Sequence, residues 1–259
     1  MLRDLTRKDW LSILGLPESR IPRALILRGT RNLKSQYEIY RAYFSNVLEI
    51  GPPNGILEDV LVGDLDDVPI AYASVYGAPM SSEVTHVFGV LGTSLVVQTG
   101  CYGALADAIM PGDIFIPTEA YCGEGASQYY KPDGNTVMAT LNSVVSSALG
   151  QVKDIPVHYG RIYTTSALFA EGEKEIEDWF DRGFSAVDME TSATFAVAEH
   201  FGMDRISILF AFDNPKRREH ILMEEADKDE RRVLGNRRMI EVALTIVRKY
   251  NPPIGNETP

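Results

Sequence analysis

Apolar residues in this 259-residue chain fall into short runs broken by glycine. The runs alternate with segments whose apolar positions recur every three or four residues, the pattern of strands interleaved with amphipathic helices. RALILRG (23–29) predicts a strand entering a glycine turn, and VPIAYASVYGAP (68–79) a strand ending in a glycine-containing loop. SSEVTHVFGVLG (81–92) has Val84, Val87, Phe88 and Leu91 at helical spacing and predicts a helix closed by glycine. SLVVQTG (94–100) predicts a buried strand that breaks into a glycine turn, and GDIFIPTEAY (112–121) the strand that follows. NTVMATLNSVVSSALG (135–150) gathers Val137, Met138, Leu141, Val144, Val145 and Leu149 on one broad face, which predicts one helix ending at Gly150. An extended PVHYGRIYTTSALF (156–169), a helical EKEIEDWFDRGF (173–184), a strand SAVDME (185–190) and a helix TSATFAVAEHFG (191–202) come next. Thr191 or Ser192 is the expected N-cap of that last helix. RISILFAFD (205–213) predicts a strand stopped by an Asp-Asn-Pro turn, and DERRVLGNRRMIEVALTIVRKY (229–250) the final helix.

Alternation of this kind implies an α/β fold, a mixed, mainly parallel sheet flanked by helices. No Pro/Ser/Gly-rich linker or long charge block divides the chain, so one domain over 1–259 is expected. GPPNG (51–55) reads as a turn, and MEEADKDERR (223–232) as a solvated helix face or loop. Ligands of such sheets sit at the carboxyl ends of strands. Attention therefore falls on Gly100–Gly103, Asp188–Glu190, Asp213 and the loop after Gly29.

The charge balance, −11 from 25 basic and 36 acidic side chains, argues against nucleic acid as a partner. It leaves room for a small anion bound by one local arginine or by backbone N–H groups. Two cysteines, a charged N-terminus without an apolar core and no long apolar run predict a cytosolic chain with neither disulfide framework nor membrane span. The four histidines are scattered, with no HExxH, and no metal site is expected. GxSxG, GxxxxGK[ST] and GxGxxG are all absent.

Read by chemistry alone, Thr99, Gly100 and Gly103 can bring backbone close to an anion or sugar oxygen, or can merely form a tight strand exit. Asp188 and Glu190, two apart on an expected strand, share a side and could grip vicinal hydroxyls, or could complement the N-terminus of the next helix. Asp213 closes the apolar run ISILFAF, where a carboxylate has a raised pKa suited to a general acid; Asp-Asn-Pro is also an ordinary turn sequence.

Three stretches in order resemble the nucleoside phosphorylase family, which includes uridine phosphorylase, purine nucleoside phosphorylase and methylthioadenosine nucleosidase. They are VVQTGCYGALADAIMPGDIFIPTEAY, GEGASQYYKP (123–132) and AVDMETSATFAVAEHFG, with LILRG (25–29) as a further match to an N-terminal phosphate loop. GEGAS and METSATF are similar to the uridine phosphorylase branch in particular. The resemblance implies a single distorted mixed sheet, homo-oligomers (dimer or hexamer), and cleavage of a ribosyl C–N bond with phosphate as co-substrate and no other cofactor. It implies Asp213 as the acid that protonates the leaving base. Met189, Glu190, Asp188, Tyr102, Gly103 and Phe169 would line the ribose and base sites; Gly29, Arg31, Arg28 and Cys101 would lie at the phosphate.

This chain departs from the family pattern at several points. Gln98 stands where phosphorolytic members carry an arginine, Cys101 where a hydroxyl residue is expected, and Leu33 near the position of the loop arginine. No arginine falls near 51–56, where a neighbouring subunit would supply one. LFAEGEKE (168–175) lacks the Gln-x-Arg pair that reads uracil. LILRGTRNLK offers Arg28 and Arg31 to an anion and no acid to a water molecule, which favours phosphorolysis. Hydrolysis, or nucleoside binding with little catalysis, stay open as alternatives, and so does the identity of the base.

Overall fold

β5 (Leu95–Ala104) is the strand on which the architecture turns. It pairs in parallel with β1 (Ala24–Gly29) on one side and with β10 (Asp204–Asp213) on the other, and its last residues meet β9 (Phe184–Asp188) antiparallel at Gly103↔Val187. β10 pairs antiparallel with β6 (Ile114–Cys122), which runs parallel to β8 (Val157–Thr164), itself parallel to β9. Five strands thereby close into a ring, β5–β10–β6–β8–β9. From β1 the sheet continues as an open wing through β4 (Val68–Val75), β3 (Val60–Leu65) and β2 (Ser45–Glu49), while β7 (Thr136–Met138) adds to β6. The computed structural model describes residues 1–51, 55–141, 143–223 and 226–251, so residues 52–54 of the expected GPPNG turn and residues 224–225 of MEEADKDERR lie outside it.

Helices cover both faces of the wing. α1 (Arg7–Leu14) and α3 (Gly77–Leu91) pack on one face, where Leu25, Leu27, Val62, Ala73 and Val96 are buried with Phe88 and Leu91. α2 (Leu33–Arg41), α4 (Ser143–Leu149) and α7 (Ala226–Lys249) pack on the other, around Ile26, Tyr72, Val97, Ile208 and Ala243. α6 (Thr191–His200) plugs the ring with Phe195 and Ala196 against Tyr102, Phe115 and Leu209, and α5 (Glu173–Asp181) closes Val187 and Phe184 under Trp179. Full burial of each large apolar side chain contributes about 1.5–3 kcal/mol, which makes these layers the main source of stability. Among the described residues no helix is long and apolar enough to cross a membrane.

Three sequence expectations are corrected here. Residues 100–103 form no turn: β5 runs on through them to Ala104, because β10 stays hydrogen-bonded alongside as far as Asp213↔Gly103. Gly100 is needed there for close approach, since a Cβ would stand 3.2 Å from the carbonyl oxygen of Gly29. The single helix expected over 135–150 is strand β7 followed by α4. Thr136–Met138 satisfies its backbone on the edge of β6 (Ala120↔Val137), and that pairing overrides the helical spacing there, where Thr136 and Val137 are β-branched. Glu190, not Thr191 or Ser192, is the residue before α6, since Thr191 already lies in the helix.

Candidate active site

The carboxyl ends of β1, β5, β9 and β10 open onto one cavity of about 800 Å³. Its wall includes Arg28, Gly29, Arg31, Cys101, Tyr102, Gly103, Phe169, Asp188, Met189, Glu190 and Asp213, all of them candidate sugar, base or phosphate residues, whereas Gln98, Thr99 and Gly100 lie outside it.

Glu190 sits at the turn from β9 into α6 and is buried. Its Oε1 accepts from the backbone N–H of Gly77 at 2.7 Å, tying it to the start of α3. Gly29 lies against the other oxygen, where a Cβ would stand 2.7 Å from Oε2. Burial, with the nearby Asp188 carboxylate adding to it, pushes the Glu190 carboxyl above its usual range. Of the two roles the sequence left open for Asp188, its bonds fit the one at the helix N-terminus. It accepts from Thr164 Oγ1 at 2.7 Å, Thr191 N–H at 2.9 Å and Thr191 Oγ1 at 2.5 Å. Those bonds anchor the N-terminus of α6. Tyr102, also in the wall, packs its ring on Phe115 inside the strand ring and donates its hydroxyl to the Asp113 carbonyl.

Asp213 ends β10 beside a register shift, and Asn214 fixes it by donating to the carbonyls of Ala106 and Ile109, both at 3.0 Å. The Asp213 carboxylate accepts no hydrogen bond from any other described residue. Burial pushes it up to about 7, with Glu219 adding to the rise and Arg232 and Lys228 opposing it. Glu171, which the sequence marked only as departing from a uracil-reading pair, shares this end of the cavity. Burial, and then repulsion from Asp213, raises it to about 7 as well. Two acids that are neutral over part of the physiological range thus face one chamber. A polar ligand edge can accept a proton there or donate to a carboxylate.

The cationic side of the cavity differs from expectation. Arg31 is an exposed rim residue, its guanidinium stacked 4.6 Å over Tyr76 and 5.8 Å from the exposed Phe169 ring. Arg28 is 4% exposed. Gln98 is buried and bonded inside: Nε2 donates to the Thr99 carbonyl and Oε1 accepts from Thr194 Oγ1, both at 3.0 Å. Burial pushes the half-buried Cys101 thiol up to about 11, so it keeps its proton. Sequence reasoning missed Asn236, Arg232, Ile221 and Leu222, which enter the wall from α7 and the segment before it. No group of His, Cys, Asp and Glu suited to a metal ion occurs among the described residues.

A closed strand ring with an open wing brings a buried glutamate, and an aspartate whose carboxyl burial pushes up to about 7, to one end of an α/β sheet. The sequence comparison gives the family: residues 44–248 match the phosphorylase superfamily, and the chain belongs to it. A guanosine phosphorylase of Halorubrum lacusprofundi is 27% identical over 134 residues, 49% of this chain and 53% of that protein. The chain thus spans about half the length of that relative. A DeoD-type purine nucleoside phosphorylase of Bacillus cereus is 25% identical over 171 residues, 65% of this chain and 70% of that protein. The crystal structure of uridine phosphorylase from Vibrio fischeri superposes with a TM-score of 0.75 at 19% identity, covering 91% of this chain and 96% of that one. The crystal structure of purine nucleoside phosphorylase from Toxoplasma gondii superposes with a TM-score of 0.75 at 18% identity, covering 92% of this chain and 96% of that one, so the fold is shared with both.

Proposed function

We propose that the protein is a nucleoside phosphorylase, a pentosyltransferase that cleaves the ribosyl C–N bond of a nucleoside with phosphate. The observation that carries this reading is the presence, in one open cavity, of a buried Glu190 and of Asp213, whose carboxyl burial pushes up to about 7. Membership of the superfamily and the phosphorylase names of its relatives support the phosphorolytic form of the reaction.

Glu190 accepts from the ribose hydroxyls, and Met189 packs against the sugar. As the C1′–N bond lengthens, its electron pair moves onto the base, and protonated Asp213 donates to a base nitrogen so that the base departs neutral. A phosphate oxygen forms the new bond at C1′, giving a pentose 1-phosphate. Glu171 faces the base and favours one that presents an N–H donor. A purine suits Asp213 best, since it offers a ring nitrogen acceptor to that acid. Phosphate is the co-substrate and no other cofactor is needed. The chain works as one domain over 1–259, in the cytosol, assembled as a homo-oligomer (dimer or hexamer).

The test is a panel of purine and pyrimidine nucleosides incubated with and without phosphate, with free base measured by chromatography. Phosphate-dependent release of a purine supports the reading. Release at the same rate without phosphate makes the protein a nucleosidase, and no release from any nucleoside refutes catalysis on this class.

A further inference from the structure

Phosphate chemistry needs a cation, and the position where the family pattern places one is occupied by Gln98, whose amide is spent on Thr99 and Thr194. A different cation reaches the cavity. Arg28 pairs in register with Thr99, so its side chain leaves the sheet on the face opposite Gln98, beneath α7. It is 4% exposed, and no carboxylate among the described residues forms an ion pair with it. Its Nη2 donates to Asn236 Oδ1 at 2.8 Å, Nη1 reaches only the Met239 sulfur at 3.3 Å, and Nε has no hydrogen-bond partner at all. The Phe210 ring lies 5.6 Å from the guanidinium carbon.

A buried guanidinium in this state is costly. Removing a charge from water costs several kcal/mol unless an opposite charge and good hydrogen bonds offset it. Glu190 feels Arg28, which opposes the rise that burial and Asp188 impose on its carboxyl, but the two form no ion pair. Arginine at such a position, with donors unused and a cavity at hand, is built to receive an oxyanion.

The geometry points to Arg28 as the main phosphate ligand of this protein, with the Asn236 side-chain amide and the Cys101 thiol completing the seat from α7 and β5. All three line the same cavity. Asn236 accepts from Arg28 through its oxygen, which turns its NH₂ outward as a second donor. Cys101, two residues beyond Thr99 on β5, leaves the strand on the Arg28 face and keeps its proton as a third donor. The seat is thus assembled from β1, β5 and the C-terminal helix, and Arg31 at the rim is not part of it. The assignment deepens the phosphorylase reading and rests on it for the role of the anion, though not for the anion's binding.

Two variants test it, Arg28→Gln and Asn236→Ala. Inorganic phosphate binding is measured first without nucleoside, by phosphorus NMR line broadening and equilibrium dialysis on the full chain. Steady-state KM values for phosphate and for nucleoside follow. A charge-assisted set of hydrogen bonds predicts a weakening of phosphate binding by roughly 100-fold in Arg28→Gln and by about 10-fold in Asn236→Ala. The nucleoside KM changes less than about 3-fold in either, on the same scale of error. Lysine at position 28 restores part of the loss. Unchanged phosphate affinity in Asn236→Ala together with unchanged affinity in a folded Arg28→Gln overturns the assignment. If Arg28→Gln does not fold, Asn236→Ala and Arg28→Lys decide alone, and unchanged affinity in both overturns it. Arg28-dependent binding of a nucleoside 5′-monophosphate without any binding of inorganic phosphate also overturns it, because the anion is then part of the nucleoside. Absence of nucleoside cleavage refutes the phosphorylase reading, while the dialysis result still decides the seat.

Discussion

Asp213→Asn separates the roles of this aspartate as acid and as turn residue. Asparagine keeps the Asp-Asn-Pro turn sequence's shape and its own backbone bonds but has no acidic proton to give. If Asp213 protonates the leaving base, kcat falls by about 10²-fold or more, with little change in nucleoside KM. The pH profile sharpens the test. Asp213 titrates at about 7, so wild-type activity declines as pH rises past that value, and the variant's residual activity lacks that limb. Stability supplies an independent readout. The folded-state pKa is raised above the ordinary 3.8, so between pH 4 and 7 the unfolded chain ionises while the folded chain resists. The wild type therefore loses stability across this window, and the full penalty is present above pH 7. A displacement from 3.8 to about 7 corresponds to an upper limit of about 4 kcal/mol. Asn carries no such penalty, and urea titrations at pH 5 and pH 8 should show the variant gaining on the wild type as pH rises. Wild-type kcat in the variant, or a stability difference independent of pH, refutes the assignment.

Other substitutions read the rest of the cavity. Gly29→Ala would place a Cβ 2.7 Å from Glu190 Oε2 and 3.1 Å from Gln98 Nε2, so it should displace Glu190 and raise nucleoside KM by roughly 10-fold or more; Glu190→Ala should do the same, and unchanged affinity in both removes Glu190 from the sugar site. Glu219→Gln removes a repulsion that helps raise Asp213, so the alkaline limb assigned to Asp213 should move to lower pH; a profile that stays in place removes Glu219 from that shift. Gln98→Ala strips two buried hydrogen bonds and should cost about 1–3 kcal/mol in denaturant titrations with phosphate KM unchanged, whereas a large rise in phosphate KM would make Gln98 a ligand after all.

Much of this molecule was legible in its sequence because local signals agreed with tertiary ones. Val84, Val87, Phe88 and Leu91 marked α3, and Gly92 closes it in the left-handed region at φ 91°. The apolar run before Asp213 announced both β10 and a carboxylate with raised pKa. Where reading failed, long-range pairing had decided the outcome. β5 continues through its glycines because β10 and β9 flank them, and β7 replaces half of an expected helix because the edge of β6 was available. Asp188 looked like a sugar ligand from its spacing, but Thr164 and Thr191 use its oxygens. The meeting of Arg28 with Asn236, 208 residues apart, leaves no local trace: nothing near Arg28 in sequence says which helix covers it.

The central claim is that phosphate, not water, takes the pentose. It is tested most directly by phosphorus NMR of a reaction containing wild-type protein, inorganic phosphate and the purine nucleoside on which base release is found. The account predicts a new phosphate-ester resonance from pentose 1-phosphate that grows in step with free base and stops when phosphate is withheld. Free base accompanied by free pentose, with no new phosphorus signal, would contradict it.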